Sequence, residues 1–215
     1  MRQTVLEAVR REKVIAILRG IDPALAPKVA EALYAGGIRL LEIPYDQSRP
    51  ESWKVTAGTI GALAAQMEGR MFIGAGTVTS PGLVELTKEA GGQFIISPHT
   101  DPAVIARTRE LDMVSIPGAM TPTEIMTAWQ LGGDCVKLFP ASQLGTDYLK
   151  AVRAPLNHIP ILATGGINEK NARAFLDAGA AGLGVGGNLS KIGDILAGEF
   201  GRLTEAAEKL LAAIR

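Results

Sequence analysis

In the stretch Ala35-Gly36-Gly37-Ile38-Arg39-Leu40-Leu41-Glu42-Ile43-Pro44, a glycine pair ends one element and an apolar run opens the next. Upstream, Pro23–Ala35 has the apolar period of a helix. Glycine ends helices because it accepts left-handed backbone angles. Leu40–Ile43 is short, branched and apolar, which suits a buried strand. The same punctuation recurs at Ala90-Gly91-Gly92, Leu131-Gly132-Gly133 and Ala178-Gly179-Ala180. Each follows a helical stretch, such as Thr121–Leu131, and precedes a strand candidate.

Working outward, the strand candidates are Val14–Leu18, Leu40–Ile43, Met71–Gly74, Phe94–Ile96, Met113–Ile116, Cys135–Leu138, Ile159–Ala163 and Gly182–Val185. Strands alternating with helices indicate an α/β protein with a parallel sheet. Eight such units in 215 residues match a small (β/α)8, or TIM, barrel spanning residues 1–215 as one domain. A helix precedes the first strand. A final helix, Phe200 to Ile214, carries Leu203, Leu210, Leu211 and Ile214 on one stripe and should pack outside the barrel.

The composition narrows the function. Lys plus Arg and Asp plus Glu number 22 each, so the formal charge is zero and no nucleic-acid partner is expected. The apolar fraction is 47%, yet the longest early apolar run, Val14 to Leu18, is too short for a signal peptide or membrane span. A cytoplasmic protein without a membrane partner is expected. The single cysteine, Cys135, excludes an intramolecular disulfide, and we read it as core filler. The two histidines are far apart, with His99 read as a loop residue and His158 as a surface one. Asp46, Asp134 and Asp147 show no metal spacing. We expect neither metal nor cofactor.

The chemistry-bearing residues gather at the strand ends, where barrels of this class build their sites. Lys137 sits in Cys135-Val136-Lys137-Leu138-Phe139-Pro140. Period-two alternation puts Cys135, Lys137 and Phe139 on one face. Pointing inward, Lys137 would lose hydration, and its amine would become a nucleophile. At a strand end it could equally lay its stem on the barrel and keep its charge in water. Glu42 is a second charge in an apolar strand, either a general acid/base or a carboxylate paired with an arginine. Arg19 shares a strand face with Ile15 and Ile17, and suits a carboxylate clamp or a salt bridge to Glu42. Thr77 could supply a hydroxyl to the same carboxylate or cap a helix, although Thr79 or Ser80 is better placed for capping. Gly165-Gly166 and Gly186-Gly187-Asn188, after the seventh and eighth strands, suit a phosphate or other anion bound by bare backbone amides.

These motifs together resemble the 2-keto-3-deoxy-6-phosphogluconate (KDPG) aldolases, which often also act on 4-hydroxy-2-oxoglutarate. They are similar as well to the related 2-keto-3-deoxy-6-phosphogalactonate aldolases. The match includes Ile15-Ala16-Ile17-Leu18-Arg19-Gly20, Leu41-Glu42-Ile43, Gly74-Ala75-Gly76-Thr77-Val78 and Ile96-Ser97-Pro98-His99. It continues through Pro117-Gly118-Ala119-Met120-Thr121-Pro122, Lys137-Leu138-Phe139-Pro140-Ala141 and Thr164-Gly165-Gly166-Ile167. The resemblance implies a class I aldolase that releases pyruvate and an aldehyde from a 2-keto-3-deoxy sugar acid. It implies Lys137 as the Schiff-base lysine, Glu42 as the acid/base, and Arg19 and Thr77 on the pyruvate carboxylate. Pro98 and Phe139 fall where the family lines the pyruvate pocket. A homotrimer and no cofactor are also implied. Two positions depart from the pattern. Asp46 stands where some members carry an arginine, and Gly187 where many phosphate-binding members carry serine. Two rivals remain: another phosphate-binding barrel, such as a sugar-phosphate isomerase or a thiamin-phosphate-synthase-like enzyme, and a non-catalytic ligand-binding barrel.

Overall fold

The computed structural model describes residues 2–215. Helix α1 (Arg2–Glu12) precedes β1 (Val14–Ile17), α2 (Ala26–Ala35), β2 (Leu40–Pro44), α3 (Trp53–Gln66) and β3 (Phe72–Gly76). Then follow α4 (Pro81–Glu89), β4 (Phe94–Ile96), α5 (Pro102–Glu110), β5 (Val114–Ile116), β6 (Gly118–Ala119) and α6 (Pro122–Gln130). The chain continues with β7 (Val136–Leu138), α7 (Ala141–Arg153), β8 (Ile161–Thr164), α8 (Ala172–Asp177), β9 (Gly182–Val185), α9 (Ile192–Leu196) and α10 (Phe200–Ile214).

All strand pairs are parallel, in the order β5-β4-β3-β2-β1-β9-β8-β7-β6. The two ends of that order, β5 and β6, are one barrel stave divided at Pro117, so eight staves run around the barrel. Proline has no N–H for the ladder. Its carbonyl still serves, accepting from the Lys137 N–H at 2.8 Å. The sequence reading ends this stave at Ile116 and misses β6. It also ends β3 at Gly74, whereas pairing with β2 carries that strand through Gly76.

The four repeated glycines behave as helix terminators. Gly37, Gly91, Gly132 and Gly179 have φ of 98°, 89°, 101° and 101°, a region costly for residues with a Cβ. Alternation then divides the side chains. One set packs outward against the helices, as with Leu41, Ile43 and Ile73. The other fills the barrel, where Ile15, Leu40, Phe94, Ile96, Val114, Ile116, Cys135 and Leu162 form one cluster. Val5, Leu6 and Val9 of α1 join it. Thus α1 plugs the amino end of the barrel, held by a salt bridge from Arg2 to buried Asp134. Above this apolar plug the barrel opens at its carboxyl rim. Among the described residues no helix is long and apolar enough to cross a membrane.

Candidate active site

The site grows from two strands that carry charge inward. Cys135 lies in the interior cluster, so Lys137, two residues on, also faces inward and one layer higher. Leu40 and Glu42 stand in the same relation on β2. Glu42 is 1% exposed and Lys137 6%. The snorkelling alternative for Lys137 is therefore overturned. Its Nζ lies 5.2 Å from the centre of the Phe139 ring.

Burial dominates the electrostatics. It pushes the Lys137 amine below its ordinary value; Glu42 partly restores it, and Arg19 lowers it further. Burial also holds the Glu42 carboxyl above its ordinary value, against the positive fields of Lys137 and Arg19. Both groups are biased toward neutrality, as a nucleophilic amine and a proton donor must be. Among the described residues no ion pair joins Glu42 to a cation, and only two buried side-chain oxygens lack a hydrogen-bond partner. These are Glu42 Oε2 and Thr164 Oγ1. Unsatisfied buried polar atoms are rare, and both of these residues border one cavity. Small neighbours make that room. A Cβ on Gly76 would stand 1.7 Å from Glu42 Oε1, and one on Gly184 would stand 2.4 Å from Thr164 Oγ1.

The cavity holds about 620 Å³ and brings every chosen residue together: Lys137, Glu42, Arg19, Thr77, Pro98, Phe139, Gly165, Gly166, Gly186, Gly187 and Asn188. Arg19 is exposed at the rim and not inside the barrel. It makes no salt bridge to Glu42; its Nη2 donates to Thr77 Oγ1 at 3.2 Å. Thr77 caps no helix, since Ser80 holds the N-cap position of α4, in the extended conformation usual there though without a side-chain capping bond. Gly165 and Gly166 have φ of 96° and 72°. Asn188 borders the cavity, but its Nδ2 donates to Glu169 Oε2 at 2.6 Å. Asp46 does not reach the cavity. It binds Ser48 and Arg49, which lower its carboxyl to about 2, and it faces a neighbouring cleft. Cys135 lies below the site, its thiol pushed up to about 12 by burial, and is inert. His99 and His158 are exposed and do not border the cavity.

The sequence reading places Thr164 in a rim motif without giving it a role, and passes over Ser190. Thr164 stands next to a chosen Gly pair, and its inward face follows from Leu162 in the interior cluster. Ser190 donates to the Ile17 carbonyl at 3.1 Å, tying the last loop to the first strand, a contact between chain ends that no local pattern announces.

An amine inside a barrel, biased toward its neutral form and sharing a cavity with a carboxyl whose proton affinity is raised by burial, suits imine chemistry on a small carbonyl compound. The relatives agree. The family model described as KDPG and KHG aldolase matches residues 5–206. The chain is 36% identical over 181 residues to the 2-dehydro-3-deoxy-6-phosphogalactonate aldolase of Escherichia coli K12, covering 84% of this chain and 85% of that protein. It is 31% identical over 210 residues to the 2-dehydro-3-deoxy-phosphogluconate aldolase of Treponema pallidum, covering 97% and 96%. In structure it is similar to the KDPG aldolase of Legionella pneumophila with pyruvate captured at low pH as a covalent carbinolamine, with a TM-score of 0.86, 29% identity and coverage of 95% and 97%. The match over nearly the whole barrel makes this chain an aldolase, and it belongs to the KDPG and KHG aldolase family.

Proposed function

We propose that Lys137 forms a Schiff base with a 2-keto-3-deoxy sugar acid, and that the products are pyruvate and an aldehyde. The observation that carries this reading is the buried Lys137 amine sharing a cavity with the unpartnered Glu42 carboxyl.

The amine attacks the C2 ketone, and Glu42 protonates the oxygen to give a carbinolamine. Water leaves, and an iminium forms. A base removes the proton of the C4 hydroxyl. The C3–C4 bond then breaks, its electron pair flows into the iminium, and the aldehyde departs. The enamine that remains takes a proton at C3. Water attacks the resulting iminium, releasing pyruvate and restoring the amine. Glu42 is the group within the cavity suited to shuttle these protons. Arg19 and Thr77 hold the carboxylate at C1. Pro98 and Phe139 shape the methylene side. Thr164 offers its unpaired hydroxyl to a substrate hydroxyl. The tail lies along Gly165, Gly166, Gly186, Gly187 and Asn188, where backbone amides suit a phosphate. The chain acts as a homotrimer in the cytoplasm, without a metal or organic cofactor.

The test is borohydride reduction in the presence of pyruvate, followed by peptide mapping. A stable adduct on Lys137, absent in Lys137→Ala, supports the reading. An unmodified protein would remove Lys137 from the chemistry. A kinetic panel of phosphorylated and unphosphorylated keto-deoxy gluconate and galactonate, with 4-hydroxy-2-oxoglutarate, names the substrate. Sedimentation equilibrium tests the trimer.

A further inference from the structure

Thr77 is a β-branched residue with φ of 54°, in the left-handed region that such residues rarely adopt. A backbone of that kind persists only where its surroundings hold it. Two side chains hold this one. Arg19 Nη2 donates to its hydroxyl at 3.2 Å, and Gln47 Nε2 donates to its carbonyl at 2.8 Å. The other end of the Gln47 amide accepts from Thr79 Oγ1 at 2.9 Å, so one side chain ties the Thr77 carbonyl to the residue two positions on. Gln47 is itself fixed by the turn it belongs to. Asp46 accepts from the Ser48 N–H at 2.9 Å, the Ser48 hydroxyl at 2.6 Å and Arg49 Nε at 2.7 Å. The Asp46 carbonyl accepts from Trp53 Nε1 at 2.9 Å. This turn presents Gln47 to the rim after β3.

We infer that Gln47 is a positioning residue for the carboxylate end of the cavity, acting by fixing the Thr77 backbone and thereby the hydroxyl that meets Arg19. This rests on the reading of Arg19 and Thr77 as the carboxylate pair. Neither Gln47 nor Thr79 borders the cavity, so the effect of Gln47 reaches the site through Thr77.

The experiment is borohydride trapping over a range of concentrations of pyruvate and of pyruvamide, its uncharged analogue. In Gln47→Ala the half-saturating pyruvate concentration should rise about 3- to 10-fold, the worth of one neutral hydrogen bond. The half-saturating pyruvamide concentration and the trapping rate at saturation should change less than about 2-fold, because only carboxylate binding is lost. A loosened fold would move both ligands together, and that result overturns the inference. A double-mutant cycle gives a second check. Thr77→Ala removes the hydroxyl that Gln47 positions, so adding Gln47→Ala should bring little further loss. Full additivity overturns the inference, as does a wild-type pyruvate curve in Gln47→Ala. A wild-type protein that forms no pyruvate adduct overturns the Schiff-base reading itself, and this inference with it.

Discussion

At Gly76 a missing side chain decides where a charge can sit. The strand there is extended, so the glycine is required by space and not by φ. A Cβ would overlap Glu42 Oε1 at 1.7 Å and the carboxyl carbon at 2.5 Å. Gly76→Ala should displace the carboxyl and slow pyruvate adduct formation by roughly 10²-fold, the usual result of misplacing a reacting group by about 1 Å. A wild-type trapping rate would show that the carboxyl position is unimportant. Glu42→Gln should cut turnover by about 10²–10⁴-fold in steady-state kinetics. The same variant should have a pH-dependent stability. Burial raises the folded pKa of Glu42 above its unfolded value near 4.5. Between these two values the folded state binds more protons than the unfolded one, so wild-type stability from this group falls as pH rises. Glu42→Gln lacks that loss. Its advantage in urea unfolding should therefore be absent below about pH 4 and grow as pH rises through the folded pKa. A difference that is constant with pH would mean that Glu42 is not desolvated.

Elements reveal which signals were local. The Gly repeats, the α10 stripe, and strands β4 and β9 were legible because a helix stop or a buried run is written in adjacent residues. The break between β5 and β6 was not, since Pro117 interrupts the N–H ladder while the stave continues. Helix α1 was expected, but its role as a plug depends on a pairing of Arg2 with Asp134, 132 positions apart in the sequence. Asp134 also accepts from the Ser115 N–H at 2.9 Å, so one buried carboxylate joins α1, β5 and the turn before β7. Asp134→Ala should destabilise the fold by about 1–3 kcal/mol in urea unfolding, because it leaves the buried Ser115 N–H without its acceptor and the half-buried Arg2 without its carboxylate. The pyruvate concentration for half-maximal trapping should hold steady, as the plug lies at the far end from the rim. A shift of several-fold in that concentration would mean that the plug and the site are coupled.

Across the whole molecule, the barrel separates a dry interior from an open rim, and the site sits at the boundary. The candidate residues were legible because a parallel barrel sends every strand end to one rim, so motif order alone collects them. Arg19 standing at the rim and Asp46 turning away to a neighbouring cleft were not legible, because both depend on side-chain partners supplied by other loops. The proposed chemistry depends on the dryness below. Phe94, fully buried, fills the space over Gly74, where a Cβ would meet its ring at 2.4 Å, and Gly74 pairs with Glu42 in the ladder. We read that ring as part of the apolar floor that keeps water from the carboxyl and the amine. Phe94→Ala should cost about 3–5 kcal/mol, and the milder Phe94→Leu less. Each should also admit solvent and relax both shifted groups toward their ordinary values. For Lys137 the sign is fixed. A lowered pKa keeps the amine neutral to lower pH, so hydration must move the acid limb of the trapping rate to higher pH. Phe94→Leu, which should still fold, ought to show that upward move in a pH series of pyruvate trapping. An acid limb that stays in place would assign the low amine pKa to something other than the apolar floor, and a downward move would contradict burial as its cause.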